Sequence, residues 1–276
     1  MATPSNPLSS AEIYWNVAAE TYEEDFSGTI VGKIRRSVVQ QALARSFQPG
    51  RRVLEINCGT GIDAVFLARR GVHVVACDLS PRMIELARAL AAKEDVSPSP
   101  DFRVLATEHV STLVAEAAFD GAFSNFSGLN CVEDLHQVAD DLGRLLEPNA
   151  RLILCMMGRF VPLEILWFLA HGRLRRAFYR LRSPRTHYAG TTGIVIKRPT
   201  VKQIERQIQP AFRLVGWKGI GIVVPPSYAE PFATRFPRFL HFLAAVDRRI
   251  GSLPLFRNMA DCVLLELERT LVAPRK

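Results

Sequence analysis

The sequence predicts an α/β protein, with a doubly wound, largely parallel β-sheet covered by helices on both faces. Short apolar runs alternate with helical patterns between residues 53 and 157. These runs are continuous rather than alternating apolar with polar, which is typical of strands buried on both faces. Strands that alternate with helices indicate β-α-β units and hence a parallel sheet. At 276 residues the chain can form one large domain, with or without an elaborated second lobe.

Helical periodicity predicts two leading helices, over residues 10–25 and 30–46. Ser80 is a suitable N-cap and Pro81 a suitable first-turn residue for a later helix over 80–92. Further helices are expected over 62–70 and 131–147, the second ending against Pro148. The expected strands are 53–56, 72–78, 102–106, 119–125 and 150–157, followed by a late pair at 212–226 and 262–269 with a helical insertion between them.

Composition indicates an ordinary soluble protein, with 48% apolar and 22% charged residues. The five cysteines are scattered without a CxxC pair, which argues against a zinc site and a disulfide framework and favours a reducing cytoplasm. The start "MATPSNPLSS" has no secretory signal pattern. The apolar stretch 152–170 contains Arg159 and Glu164, so we interpret it as a buried strand and a helix rather than a membrane span.

Charge is distributed unevenly along the chain. The net charge is +8, but residues 1–150 hold 13 basic against 20 acidic residues, and residues 151–276 hold 22 against 7. Nine basic residues and no acidic residue lie between Glu164 and Glu205. The second half therefore faces a different partner, such as an anionic surface.

The stretch "EINCGTG", residues 55–61, joins a strand to a helix through Gly59 and Gly61. Glycines at such a turn let the backbone approach a nucleotide-like ligand closely. Asp78 ends the next strand, nineteen residues beyond Gly59, where an acid can hold both ribose hydroxyls. These features alone fit a dinucleotide and an S-adenosyl ligand equally.

Glu55 favours the second ligand. A buried carboxylate at this turn repels a pyrophosphate but attracts a sulfonium and an α-amino group. The alternative is that Glu55 only caps a loop or pairs with an arginine.

The chain resembles the class I S-adenosylmethionine-dependent methyltransferases over about 150 residues. The matching segments, in the family's order, are "YWNVAAETYEEDF", "VLEINCGTG", "VVACDLSPRMIELAR", "FDGAFSNFSGLNCV" and "LEPNARLIL". The resemblance implies a Rossmann-like seven-stranded sheet, mostly parallel with the last strand antiparallel, and helical lid insertions. It implies N-terminal helices over the cofactor site at 1–48, the cofactor-binding core at 49–158, a basic apolar lid at 159–211, and the last two strands at 212–276 with the insertion 226–259.

The resemblance also assigns cofactor contacts. Glu55, Gly59 and Gly61 would line the methionine side, and Asp78 would bind the ribose. Leu79 would flank the adenine, Asn125 would close the methionyl end, and Tyr14 and Tyr22 would cover the site.

Two positions depart from the family pattern. Asn57, also expected to contact the cofactor, stands where glycine is commoner, which alters the turn without blocking it. Ala106 stands where many relatives have an aspartate for the adenine amino group, so Thr107 or Glu108 would take that role.

The expected acceptor is a small molecule that is apolar or amphiphilic, and either anionic or lipid-like, with S-adenosylhomocysteine as the other product. Methyl transfer is an in-line displacement that needs a base only if the acceptor must lose a proton. Among His136, His171, His187 and His241 we favour His187, with Tyr188, as catalytic candidates, although a structural histidine is the commoner case. Expected acceptor contacts are Phe126, Asn130, Trp167, His187 and Tyr228. No metal site is indicated.

Alternatives remain open at this stage. A nicotinamide-dependent oxidoreductase could use the same turn and Asp78, and a non-catalytic module could retain the cofactor fold. The segment "LEILWFLAHGRLRRAFYRLRSPR" is either a substrate lid or a basic amphipathic surface for an anionic membrane, so a location peripheral to the inner membrane face stands beside a cytoplasmic one. Nucleic acid is disfavoured, because the aromatic residues are mixed with aliphatic ones.

Overall fold

The computed structural model describes residues 9–116, 118–182, 185–187 and 194–271. Its strands are β1 (Arg52–Ile56), β2 (His73–Asp78), β3 (Asp101–Val104), β4 (Phe119–Ser124), β5 (Leu146–Met157), β6 (Arg185–His187), β7 (Val195–Lys197), β8 (Phe212–Ile220) and β9 (Cys262–Arg269).

Seven of these strands form one sheet in the order β3-β2-β1-β4-β5-β9-β8. The first five pair in parallel, whereas β9 pairs antiparallel with both β5 and β8. This confirms the predicted doubly wound sheet with its last strand antiparallel. Strand order reverses between β1 and β4, and in α/β sheets ligands bind beyond the carboxyl ends of the strands at such a point.

The α-helices are α1 (Ser10–Ala18), α2 (Ile30–Ser46), α3 (Ile62–Ala68), α4 (Pro81–Lys93), α5 (Leu135–Leu145), α6 (Pro162–Ala170), α7 (Leu174–Ala177), α8 (Tyr179–Arg182), α9 (Val201–Ile208), α10 (Glu230–Arg235) and α11 (Pro237–Ile250). A π-helical turn spans Glu23–Ser27, and 3₁₀ helices span Thr107–Ala115, Gly128–Asn130 and Ser227–Ala229. Ser80 caps α4 as predicted, since its hydroxyl accepts from the Met83 N–H at 3.1 Å. Among the described helices, none is both long and apolar enough to cross a bilayer.

Helices cover both faces of the sheet because neighbouring residues of each central strand point to opposite sides. In β1, Leu54 joins a buried cluster with Val138 of α5, whereas Val53 joins a second cluster with Val39 of α2 and Ile84 of α4. The continuous apolar run of β1 is thus divided between two cores. This is the physical basis of the sequence pattern.

Two predicted helices differ in extent. The helix predicted over 10–25 ends at Ala18, and a π-helical turn follows in which the Gly28 N–H donates to the Glu23 carbonyl at 2.6 Å. The helix predicted over 131–147 begins at Leu135, after the Asp134 cap, and ends at Leu145 because Leu146 already pairs with Phe119 of β4. Residues 147–150 then bulge from β5 between two paired positions, and this bulge accommodates Pro148.

The segment predicted as a lid helix is divided into α6, α7 and α8. Gly172, with a φ of +69°, ends the first of these helices. A buried ion cluster anchors the segment to the core: the Arg180 guanidinium pairs with Glu164 at 2.5 Å and with Asp261, just before β9, at 2.6 Å. Asp261 also pairs with Arg35 of α2. Burial alone would raise the pKa of Asp261, but the two arginines hold it at about 2.

Candidate active site

The turn after β1 is built from left-handed backbone. Asn57, Gly59 and Gly61 have φ values of 57°, 53° and 75°. Asparagine adopts this conformation more readily than other non-glycine residues, which explains how Asn57 replaces the commoner glycine. The turn is closed by the Gly61 N–H donating to the Cys58 carbonyl at 3.0 Å. The conformation directs backbone N–H groups toward the carboxyl ends of β1 and β2.

Asp78, at the end of β2, faces this turn. Its carboxylate accepts from the Gly59 N–H at 2.8 Å and from the Ser80 N–H at 2.9 Å. Burial raises the pKa of Asp78, although these backbone hydrogen bonds oppose the shift. A carboxylate has about four lone-pair sites, so Asp78 retains acceptor capacity for a ligand hydroxyl.

A cleft opens at the carboxyl ends of β1, β2 and β4. Its lining combines one wall of backbone and acidic groups with one wall of apolar side chains. The lining residues are Ala11, Trp15, Tyr22, Asn57, Gly59, Asp78, Leu79, Met83, Thr107, Glu108, Asn125, Phe126, Gly128, Cys131 and Val132. Tyr22, Asn57, Gly59, Asp78, Leu79, Thr107, Glu108, Asn125 and Phe126 were predicted from the sequence as site residues.

Glu55 lies beneath this cleft rather than along its open wall. Only 2% of the residue is exposed, and its Oε2 has no hydrogen-bond partner among the described residues. Burial raises the pKa of Glu55 well above its ordinary value, and the nearby Asp63 carboxylate adds to the rise. The Ala64 N–H of α3 donates to the same carboxyl group, and this hydrogen bond opposes the rise in pKa. Glu55 therefore combines a helix-capping contact with one unused acceptor.

Asn125 supplies a second unused acceptor. Its side-chain N–H donates to Asp63 at 2.9 Å, while its Oδ1 is buried and has no partner within the described part of the chain. Two buried acceptors without donors are costly unless a ligand satisfies them. The pair is suited to a positively charged group with several N–H donors.

Arg36 of α2 places a cation beside these acids, and the sequence did not reveal it. Its Nη1 donates to Asp63 at 2.6 Å and its Nη2 to the Ser27 hydroxyl at 3.3 Å. Burial opposes the charge, but Asp63 and the neighbouring Tyr22 and Glu55 raise the pKa of Arg36 above its ordinary value. Arg36 stays charged, so a guanidinium lies among the acidic side chains of this region.

The N-terminal cover is formed by Trp15 and Ala11 of α1 together with Tyr22. Tyr14, which was expected to cover the site, is not among the lining residues and instead meets Trp15 edge-on, with ring centroids 5.1 Å apart. Tyr22 lies over the turn, since its Cε1 is 3.9 Å from where a Cβ on Gly59 would lie. Burial raises the pKa of Tyr22, which keeps its phenol neutral.

Asn57 links three strand ends at the far side of the cleft. Its amide donates to the Thr107 hydroxyl at 2.8 Å, and its Oδ1 accepts from the Ser124 hydroxyl at 3.2 Å. Thr107 and Glu108 both line the cleft. They follow Ala106, which stands where the family pattern has an aspartate. Glu108 is exposed and has room to bind a ligand amino group, whereas the Thr107 oxygen is already engaged.

The loop after β4 holds Phe126 in a strained backbone. Phe126 and Ser127 have φ values of 47° and 81°, in the left-handed region that costs a non-glycine residue about 1–3 kcal/mol. Packing compensates: the Phe126 ring meets Phe26 at 4.9 Å and lies 4.8 Å from the Arg36 guanidinium. The strain and its compensation fix an aromatic surface next to Asn125.

Other predicted site residues lie away from the cleft lining. Gly61 serves packing, because a Cβ there would lie 2.7 Å from Ala87 of α4. Asn130 is fully buried, with its amide N–H bound to the Lys197 carbonyl at 2.7 Å and its oxygen to the Met157 N–H at 2.9 Å. Trp167 and Tyr228 meet each other at 6.3 Å, where the two insertions touch.

Three of the histidine candidates, His136, His171 and His241, are not among the residues that line the cleft. His136 contacts the Gln207 carbonyl at 2.9 Å, His171 contacts the Trp167 carbonyl at 2.7 Å, and His241 is exposed. His187 ends β6, where its backbone pairs with Val195, and Tyr188 lies outside the described residues. Within the described ranges, no cluster of side chains could hold a metal ion.

Comparison with known proteins identifies the central part of the chain. Residues 53–149 match the family described as a methyltransferase domain. This stretch is a methyltransferase domain. It contains the glycine turn, Asp78, and the loop that carries Asn125 and Phe126.

The chain is also similar to a curated relative. The ubiquinone biosynthesis O-methyltransferase of Xylella fastidiosa (strain 9a5c) is 37% identical over 112 residues, which cover 40% of this chain and 43% of the relative. The match thus spans less than half of the relative's length.

Solved structures share the fold across nearly the whole chain. The cyclase SpnF aligns with a TM-score of 0.62 at 15% identity and covers 98% of both chains. The magnesium protoporphyrin IX methyltransferase of Synechocystis PCC 6803, solved with bound SAH, aligns with a TM-score of 0.59 at 15% identity and covers 94% of this chain and 98% of that one. At this identity the likeness shows the fold alone.

Proposed function

We propose that the protein transfers a methyl group from S-adenosylmethionine to a small, apolar or amphiphilic acceptor. The observation that carries this proposal is two buried, unused acceptors, Glu55 Oε2 and Asn125 Oδ1, on residues that both interact with Asp63. An α-amino group would satisfy both, because an ammonium has three donors and the site is acidic. A pyrophosphate has only acceptors and would leave both oxygens unsatisfied, so the cleft fits a nicotinamide dinucleotide poorly.

The remaining cleft residues fit the other parts of the same cofactor. Asp78 would hold the ribose hydroxyls, and Leu79 and Met83 would flank the adenine with Glu108 near its amino group. Arg36 is the cation that would face the α-carboxylate. When bound, the cofactor supplies an electrophilic methyl group on a sulfonium, and Tyr22 and Trp15 would exclude water from it.

The acceptor would approach along the apolar wall next to Asn125. Phe126, Cys131 and Val132 line this part of the cleft, and burial raises the pKa of Cys131 to about 11, so its thiol stays neutral. The described lining contains no histidine. We infer that catalysis depends on positioning an acceptor for in-line displacement, which by itself can lower the barrier substantially. The relative from Xylella fastidiosa is named as an O-methyltransferase, which makes oxygen nucleophiles the first to test.

Thermal stability with different ligands separates the proposal from its alternatives. S-adenosylmethionine and S-adenosylhomocysteine should each raise the melting temperature, because a ligand that binds only the folded state stabilises it by mass action. NAD and NADP should not. A shift with NAD alone would indicate an oxidoreductase and overturn the proposal.

Product formation separates an enzyme from a binding module. The purified protein is incubated with S-adenosylmethionine and with the organic-soluble fraction of a metabolite extract, and S-adenosylhomocysteine release is followed. Release that depends on the extract, and falls at least tenfold in Asp78→Ala, supports the proposed activity. Cofactor binding without release from either the organic or the aqueous fraction would identify a non-catalytic module.

A further inference from the structure

We propose that the two insertions together form a docking surface for an anionic lipid bilayer. The surface, called the insertion face below, comprises the exposed apolar residues Leu166, Leu174, Leu181, Phe236, Phe239 and Phe242 and the exposed arginines Arg173, Arg175, Arg176, Arg182, Arg235 and Arg238. The inference goes beyond the proposed methyl transfer, because membrane binding can be measured without any acceptor.

Large apolar side chains project from both insertions into solvent. Leu174 of α7 is 65% exposed, Leu166 of α6 is 62% exposed, and Phe242 of α11 is 61% exposed. Phe239 packs against Phe242 with ring centroids 6.3 Å apart, so these two rings form one exposed aromatic patch on α11. An exposed apolar patch of this kind indicates an interaction site.

The exposed charge on the insertion face is positive. The sequence has no acidic residue between Glu164 and Glu205, and Glu164 itself is buried against Arg180. In 226–259 the two acidic residues are Glu230 and Asp247. Glu230 accepts from the Ile30 N–H of α2 at 2.7 Å, and Asp247 accepts from the Ile222 N–H at 2.7 Å. These acids are used inside the protein, and no described acidic residue pairs with the exposed arginines of the insertion face.

The two insertions are joined rather than separate. Tyr228, at the start of the second insertion, packs on Phe168 of α6 at 5.5 Å, and its hydroxyl donates to Glu164 at 3.3 Å. Arg180 and Asp261 then connect Glu164 to the core. The exposed residues on both sides of Tyr228 are therefore carried by one anchored unit.

A bilayer with anionic headgroups fits this chemistry better than the other candidate partners. Leucine and phenylalanine side chains can enter the boundary between headgroups and acyl chains, while arginines bind the phosphates. A nucleic acid would match the arginines but leave the leucines in water. A second copy of the chain would bring an equally positive face against the first, which costs free energy.

Vesicle sedimentation tests the proposal with the full chain. Vesicles of phosphatidylcholine alone are compared with vesicles of phosphatidylcholine and phosphatidylglycerol in a 3:1 ratio. We expect binding to the anionic vesicles only. The triple variant Arg173→Gln, Arg175→Gln, Arg176→Gln should weaken binding by roughly a hundredfold, because each basic residue at an anionic surface contributes about 1 kcal/mol.

Matched variants separate the surface from net charge and from folding. The triple variant Arg45→Gln, Arg70→Gln, Lys93→Gln removes the same charge from exposed positions on the core and should bind vesicles as the wild type does. Leu174→Ser with Phe242→Ser should weaken binding at least tenfold with all arginines present. Each variant should keep a cooperative thermal unfolding transition near the wild-type melting temperature, which shows an intact fold without depending on a ligand.

Several results would overturn the proposal. One is equal binding of the wild type to both vesicle types, and another is no binding to either. A third is an equal loss of vesicle binding in the Arg45 triple variant and the Arg173 triple variant. Binding of a single-stranded RNA oligonucleotide, lost in the Arg173 triple variant while vesicles fail to bind, would assign the face to nucleic acid. Dimerisation that is lost in the Leu174 and Phe242 variant would assign it to self-association. A protein that binds anionic vesicles but not S-adenosylmethionine would support the surface and contradict only the proposed function.

Discussion

The side chain of Asn125 donates to the Asp63 carboxylate at 2.9 Å, and this contact determines where the Asn125 carbonyl oxygen points. Asp63 is itself held by Arg36 at 2.6 Å and by Gln40 at 3.0 Å. The Asn125 oxygen is therefore fixed before any ligand binds, as is Glu55 through its contact with the Ala64 N–H. Acceptors fixed in advance bind a cation without the cost of ordering them.

Asn125→Ala should weaken S-adenosylmethionine binding about tenfold. The substitution removes one buried hydrogen-bond acceptor for a charged donor, worth about 1.5–3 kcal/mol, while the loop relaxes in part. Isothermal titration measures the change. Asn130→Ala is the matched control, since it removes the same groups from a fully buried residue of the same loop whose two contacts lie away from the cleft. It should lower the melting temperature and leave the affinity of the folded protein unchanged; equal losses of affinity would contradict the assignment.

Glu55→Gln should make cofactor affinity independent of pH. Burial raises the pKa of Glu55 in the folded protein, so a proton must leave before the carboxylate binds a cation. In the wild type, affinity for S-adenosylmethionine should therefore rise as the pH increases above the ordinary range of a glutamate carboxyl. Titrations at several pH values check the slope, and a wild-type slope retained in Glu55→Gln would place the titrating group elsewhere.

The stability of the ligand-free protein should show the opposite trend. An acid whose folded pKa is raised contributes stability below its unfolded pKa and loses it as the pH rises through the folded value. Relative to Glu55→Gln, the wild type should lose stability toward neutral pH. Denaturant midpoints of both proteins at several pH values measure their difference in stability. Because Asp78 is present in both proteins, its contribution cancels in this difference. A constant difference would show that Glu55 does not titrate in the folded protein in this range.

Asp78→Ala should weaken S-adenosylmethionine binding at least tenfold. Two hydroxyl contacts to a charged acceptor account for about 1.5–3 kcal/mol or more. Asp78→Asn keeps one acceptor oxygen, so its affinity for S-adenosylmethionine should lie between those of the wild type and Asp78→Ala. Unchanged affinity in both variants would place the ribose away from this strand end.

The local features of the site could be predicted from the sequence, because they depend on residues close together in the chain. The strand, the glycine turn and the start of α3 follow one another directly, and Ser80 caps α4 from the position next to its first residue. Asp78 was located by the same logic, as the last residue of a strand that must lie beside β1. Asn57 departs from the glycine of the family pattern, and its φ of 57° shows why asparagine fits at this turn position.

Other features depend on packing between distant segments. Arg36 reaches Asp63 from a helix that has no site motif, so nothing nearby in the sequence marks it. Trp15 rather than Tyr14 lines the cleft, because the contacts of α1 with α4 determine which side chains of α1 face the cleft. Gly61 looked like a ligand contact, yet it is required by the approach of α4 to within 2.7 Å of its missing Cβ.

Asp261→Asn should lower stability by about 3–5 kcal/mol, because it leaves two buried arginines with a neutral partner. For a chain of this size that corresponds to roughly 10 °C in melting temperature. Glu85→Gln, which removes one partner of an exposed ion pair with Arg82, is the control and should change the melting temperature little. The folded pKa of Asp261 is about 2, so the stability it contributes should be present above pH 4 or so and be lost as the pH falls toward 2. A gap between wild type and variant that persists at about pH 2 would contradict this assignment.

Isothermal titration of the wild type and Glu55→Gln with S-adenosylmethionine tests directly whether Glu55 contributes to a cofactor site. We expect one site per chain in the wild type, competition by S-adenosylhomocysteine, no heat with NAD, and at least tenfold weaker binding in Glu55→Gln. Equal affinity in the two proteins, or saturable NAD binding to the wild type, would contradict the conclusion that Glu55 and Asn125 form a site for a cationic cofactor.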